Sequence, residues 1–179
     1  MGIKLVTAVV GMAMLVLTGC AASSEPPNGV GEDCTATFEL AANPQPLGSP
    51  ARLEQTVRTK AAAPDTVSLR DLTVEAGWND DWDRMVVVQS GMTRETMNSA
   101  SGLAGYCWRR LPVFSSDDHF HYEYYVFIQG SAPKQAVPAT PSRKLFSNVQ
   151  RGDVLRPDTL LESVPPAGAR QAGYFVPAG

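Results

Sequence analysis

Alternating apolar and polar positions predict a sheet of short strands. His119 to Gln129 is the clearest of them. Phe120, Tyr122, Tyr124, Val126 and Ile128 share one face, and His119, His121, Glu123, Tyr125 and Phe127 share the other. Gln129-Gly130-Ser131 then reads as a turn, with Lys134 to Val137 returning as an antiparallel partner. Trp82 to Gln89 contains the unbroken run Met85-Val86-Val87-Val88 and ends at Ser90-Gly91, which predicts a buried strand. Cys34 to Leu40 alternates as a short strand, Tyr106 to Phe114 holds one interrupted at Pro112, and Thr159 to Val164 is a further candidate. Thr66 to Val74 changes phase between Leu69 and Leu72, and reads as a bulged strand or as a strand followed by a turn.

Two segments carry helical spacing. Ser49-Pro50 supplies an N-cap and a first-turn proline. Leu53, Val57 and Ala61 follow as one apolar stripe that should stop before Pro64. Thr93 caps a second helix, Arg94 to Ser101, which Gly102 ends. Parallel winding needs a helix between most strands, and these are missing. The expected class is therefore α+β: a small antiparallel sheet with two short helices.

The first residues follow a different pattern. Lys4 precedes an apolar run from Leu5 to Leu17, closed by Thr18-Gly19-Cys20. A charge, a short apolar stretch and small residues make a secretory signal. The run falls short of the about 20 residues a membrane span needs. Leu17-Thr18-Gly19-Cys20 resembles the lipobox of bacterial lipoproteins. The resemblance implies diacylglycerol transfer to the Cys20 thiol and cleavage before it by signal peptidase II. The chain would then sit on the extracytoplasmic face of the cell membrane. The organisation that follows is a signal peptide over 1–19, the lipidated Cys20 and a flexible tether over 20–31, a single domain over 32–164, and a Pro/Ala/Gly-rich tail over 165–179. Within that tail, Tyr174-Phe175-Val176 reads as a short strand or as part of a loose end. The overall make-up is similar to small lipoproteins of actinobacteria, mycobacterial ones included. The Trp82-Asp83-Arg84 step into a hydrophobic strand, then a short helix, is similar to a pattern that recurs in small secreted bacterial proteins. Most such families lack an assigned activity, so the resemblance supplies no catalytic residue.

Composition sharpens this picture. The chain has 179 residues, 44% of them hydrophobic, but part of that content lies in the leader. The net charge of −3 becomes more negative once Lys4 is removed. That excludes broad nucleic-acid binding, which needs a basic stripe. It also gives no attraction to an anionic membrane, so attachment rests on the lipid of Cys20. Of three cysteines, lipidation of Cys20 leaves Cys34 and Cys107. Outside the cytoplasm such a pair is most simply a disulfide. It would close a loop of roughly 74 residues, for a stabilisation of about 4 kcal/mol in the chain-entropy account. The alternative is a redox or catalytic cysteine, although no Cys-x-x-Cys occurs.

Candidate chemistry is sparse. In a strand, His119, His121 and Glu123 project from one face in steps of about 7 Å. Two imidazoles and a carboxylate are competent zinc or copper ligands, and Asp117 shares their parity. The competing reading is a polar strand side facing water. Trp78-Asn-Asp-Asp-Trp-Asp83 offers oxygen ligands for calcium, but lacks the glycine and terminal glutamate of an EF-hand. Its plainer reading is a turn in which Trp82 packs and Asp83 pairs with Arg84. Tyr125 and Phe127 are either a contact surface or a second small core. Nucleophile-elbow, metalloprotease, dinucleotide and P-loop motifs do not occur. The expectation is a lipid-anchored, non-enzymatic module that needs no cofactor and binds an envelope protein or a small ligand. A His119/His121/Glu123 metal-binding lipoprotein and an envelope enzyme with a dispersed site are the alternatives.

Overall fold

The computed structural model describes residues 34–42, 44–114, 123–140, 143–168 and 171–179. The segments read from the sequence as signal peptide and tether, with Cys20, His119 and His121, lie outside them. In chain order the elements are β1 (Ala36–Glu39), α1 (Pro50–Lys60), β2 (Thr66–Ser68), α2 (Leu69–Glu75), β3 (Arg84–Gln89) and α3 (Arg94–Ser101). They continue with β4 (Tyr106–Arg109), β5 (Glu123–Gln129), β6 (Ala132–Ala139), β7 (Val154–Leu155), β8 (Leu160–Val164) and β9 (Tyr174–Pro177). The class is α+β. Its centre is a four-stranded antiparallel sheet in the order β6-β5-β3-β7.

This sheet is buried on both faces, which explains the continuous apolar run of β3. Registered pairs Met85–Phe127 and Val87–Tyr125 point into the larger core. There α1 contributes Leu53 and Val57, and α2 contributes Leu69 and Leu72. The antiparallel sheet β2-β8-β9 adds Leu161 and Phe175. Val86, Val88, Val126 and Ile128 point the other way, against Met97 of α3 and Trp108 of β4. Tyr125 and Phe127 are therefore at the centre of the main core, each with no exposed surface.

Local signals explain the helices. Ser49 caps α1 by accepting from the Arg52 amide, and Pro50 opens its first turn. Leu53, Val57 and Ala61 are fully buried, as the stripe predicts. Thr93 caps α3, and Gly102 ends it with φ of 70°. A third helix joins the two expected. The phase change after Thr66 marks a strand that turns directly into α2. Ser68 accepts from the Asp71 amide, while the Asp71 side chain accepts from the Ser68 amide.

Cys34 and Cys107 form a disulfide. It ties the chain just ahead of β1 to β4, and these two strands pair in parallel. A parallel pair needs a long crossover, and here the intervening chain builds α1, β2, α2, β3 and α3. At the far end, of the two readings left open for Tyr174-Phe175-Val176, the strand is the one formed. It pairs antiparallel with β8. Gly173, just before it, lies against the Ala61 backbone so closely that a Cβ there would be 2.5 Å from the Ala61 carbonyl oxygen.

The acidic loop before β3 is a structural entry. Trp78 and Trp82 pack on Phe127, with ring centroids 4.9 and 5.1 Å away. Asp80 pairs with Arg70 at 2.8 Å. Asp83 pairs with Arg84 and also accepts from the Gly130 amide. Two of the three aspartates are thus engaged by arginines at strand entry. Among the described residues no helix is long and apolar enough to cross a membrane.

Candidate functional site

The pleat continues past the apolar rows of the main core to one polar row. Gln89 of β3, Glu123 of β5 and Ala139 of β6 are register partners on the face that carries Val87, Tyr125 and Val137 one row earlier. The row closes the core at the end of the sheet where β3 finishes and β5 begins. Above it opens a cleft of about 620 Å³, within the range of small-molecule sites.

Glu123 is the focus. It is 9% exposed. Its Oε2 accepts from Gln89 Nε2 at 3.0 Å, and Lys144 Nζ lies 3.6 Å from the same oxygen. Gln89 Nε2 also donates to the Val149 carbonyl at 3.3 Å, which ties the sheet end to the 144–151 segment. Glu123 Oε1 is buried and makes no hydrogen bond of acceptable geometry among the described residues. A buried carboxylate oxygen that lacks a well-formed hydrogen bond is costly to the fold.

Tyr125 lies one row deeper. Its hydroxyl accepts from the Phe146 amide at 3.3 Å and faces the Phe146 carbonyl at 3.5 Å. Burial first, then the Glu123 carboxylate, pushes its pKa well above the ordinary phenol value. The phenol therefore stays protonated at neutral pH and supports the carboxylate rather than acting as a base.

The outer rim comes from two loops. Arg151 Nη1 donates to the Ser90 carbonyl at 3.1 Å. Phe114 and the Arg151 guanidinium both converge over Gly91, where an added Cβ would stand 2.2 Å from the Phe114 ring and 2.7 Å from Arg151 Nη1. Gly91 also holds φ of 80°, so glycine is needed there twice over. The turn carrying Arg151 is docked on β3 by Gly152 N donating to the Val87 carbonyl and Val87 N donating to the Asp153 carbonyl, both at 2.9 Å.

Of the residues singled out by sequence, the structure places Glu123 in the cleft. His119 and His121 fall outside the described residues, and among those described no group of three or more metal-ligating side chains occurs. Gln89, Lys144 and Arg151 went unrecognised in the sequence. Gln89 had one usable signal: a polar residue ending the apolar run of β3. Lys144 and Arg151 had none, since only the folded register brings them beside Glu123. The cleft can thus hold one buried acceptor, two cations at its side and rim, and an apolar wall from Val149 and Ala139. No protein-family model, no curated protein and no solved structure matches this chain.

Proposed function

We propose that this chain is a lipid-anchored, extracytoplasmic binding protein of a bacterial envelope, and that the cleft over Gln89, Glu123 and Ala139 is its ligand site. The observation that carries the binding reading is the Glu123 carboxylate: largely buried at the base of a cleft, with Oε1 making no hydrogen bond of acceptable geometry among the described residues. A concave site of this size favours a small ligand over an envelope protein as the bound species. The Leu17-Thr18-Gly19-Cys20 sequence supports the membrane anchor through Cys20. The Cys34–Cys107 disulfide supports an oxidising compartment.

The anchor is tested by palmitate labelling and membrane fractionation. Wild type is labelled and sediments with membranes, whereas Cys20→Ser is unlabelled and soluble. A Cys20→Ser protein that stays with the membrane overturns the anchor. The cleft is tested by thermal unfolding of the full chain in detergent against a set of small metabolites. At least one should raise the midpoint, and Glu123→Gln should abolish that rise. If none does, or if Glu123→Gln responds as wild type, the ligand site is refuted.

The Glu123 carboxylate at the base of the cleft also favours a second reading, a zinc or copper site completed by His119 and His121. Calorimetry with each ion decides it: binding must occur and must be lost in His121→Ala.

A further inference from the structure

The Glu123–Lys144 ion pair stops short of a hydrogen bond. Lys144 Nζ is 3.6 Å from Glu123 Oε2, beyond hydrogen-bond reach. Glu123 Oε1 accepts no hydrogen bond of acceptable geometry among the described residues, and the Tyr125 hydroxyl interacts with the same carboxylate from below. One cleft therefore holds, side by side, a largely buried carboxylate and a partly exposed ammonium that pair without a hydrogen bond between them. Arg151 adds a second positive charge at the rim, held by its bond to the Ser90 carbonyl.

A simple anion entering this cleft would meet the carboxylate, and a simple amine would meet Lys144. A ligand carrying both charges on neighbouring groups satisfies both residues without leaving a buried charge alone. From this arrangement we infer that the cleft takes a small zwitterion of the α-amino-acid type with an apolar side chain. Its ammonium donates to the Glu123 carboxylate, and its carboxylate accepts from Lys144, with Arg151 at the rim. The opposite charges of an α-amino acid hang from a single carbon, which suits cleft charges that stand next to each other. Its side chain lies against Val149 and Phe114, where apolar contact excludes water. Charge-assisted hydrogen bonds at both ends supply the selectivity. This inference rests on the cleft being a ligand site and adds the class of ligand.

The test is titration calorimetry of the full chain in detergent with L-leucine, N-acetyl-L-leucine and L-leucinamide, and with D-glucose and zinc chloride as further probes. L-leucine should bind about tenfold or more tightly than either blocked form, since each block removes one charged hydrogen bond. Glu123→Gln should erase the preference over N-acetyl-L-leucine, and Lys144→Met the preference over L-leucinamide. The blocked ligands on wild type keep the result readable if a variant fails to fold. No binding of L-leucine, or equal binding of all three leucine compounds, overturns the inference. Binding of glucose or zinc that Glu123→Gln abolishes, with L-leucine silent, also overturns it but leaves the cleft as a ligand site.

Discussion

Gln89 and Glu123 face each other across the β3–β5 ladder, amide to carboxylate at 3.0 Å, and the same amide reaches the Val149 carbonyl. One side chain thus supports both the carboxylate of the cleft and the loop that walls it. Gln89→Leu removes the Gln89 Nε2 hydrogen bond and leaves the carboxylate with Lys144 and the neighbouring Tyr125 hydroxyl. The expected cost is about 1–3 kcal/mol in urea unfolding, from the unsatisfied buried carboxylate. Glu123→Gln in the same background should recover part of it, because the neutral amide costs less to bury. Additive losses in the double variant would refute the coupling.

Gln135 does similar work at the opposite end of the same face. It has no exposed surface, and its side chain accepts from the Leu47 amide at 3.1 Å while donating to the Gly48 carbonyl at 2.8 Å. Gln135→Leu keeps the volume but orphans both backbone groups. The loss should be about 2 kcal/mol or more. Faster amide hydrogen exchange at Leu47 is the local readout.

Gly173→Ala should cost about 1–3 kcal/mol, because the new methyl meets the Ala61 backbone and neither β9 nor the end of α1 yields without strain. Gly168→Ala is the control. Nothing lies within 4 Å of its Cβ position, so it should stay within about 0.5 kcal/mol of wild type. Equal melting of the two variants would show that the close approach is not rigid.

Tyr125 predicts an alkaline limit. Its pKa is raised in the folded chain by burial and then by the Glu123 carboxylate. The unfolded phenol ionises near pH 10. Above that pH the unfolded state has lost a proton that the folded state keeps, so stability falls as pH rises. Tyr125→Phe should flatten the stability profile above about pH 10. In wild type, the phenolate absorbance of one of the five tyrosines should appear only with unfolding. Its appearance while the chain is still folded would contradict the buried placement.

Much of the fold was legible because its signals are local. Ser49-Pro50 and the Leu53/Val57/Ala61 stripe sit within one helix, and Thr93 and Gly102 bracket another. Thr66 to Val74 also carried a local signal, the Ser68–Asp71 cap, but its phase change was equally compatible with a bulge. For β5 the two faces were visible and their surroundings were not. Period-two alternation assigns Tyr125 and Phe127 to the face of Glu123, yet only the packing of α1, α2 and Phe146 makes that face a core. The cleft was the least legible part. Gln89, Glu123, Lys144 and Arg151 come from separate segments, and pairing register, not sequence spacing, makes them neighbours.

The placement of the Cys34–Cys107 bond has a mechanical consequence. Tension applied to the chain ahead of Cys34 reaches Cys34 before it reaches β1. The covalent link passes that load directly into β4, alongside β1, rather than letting it strip β1 away from the edge. Pulled from its N-terminal side, the domain would thereby keep its first strand seated. In reducing conditions the same pull would peel β1 away first.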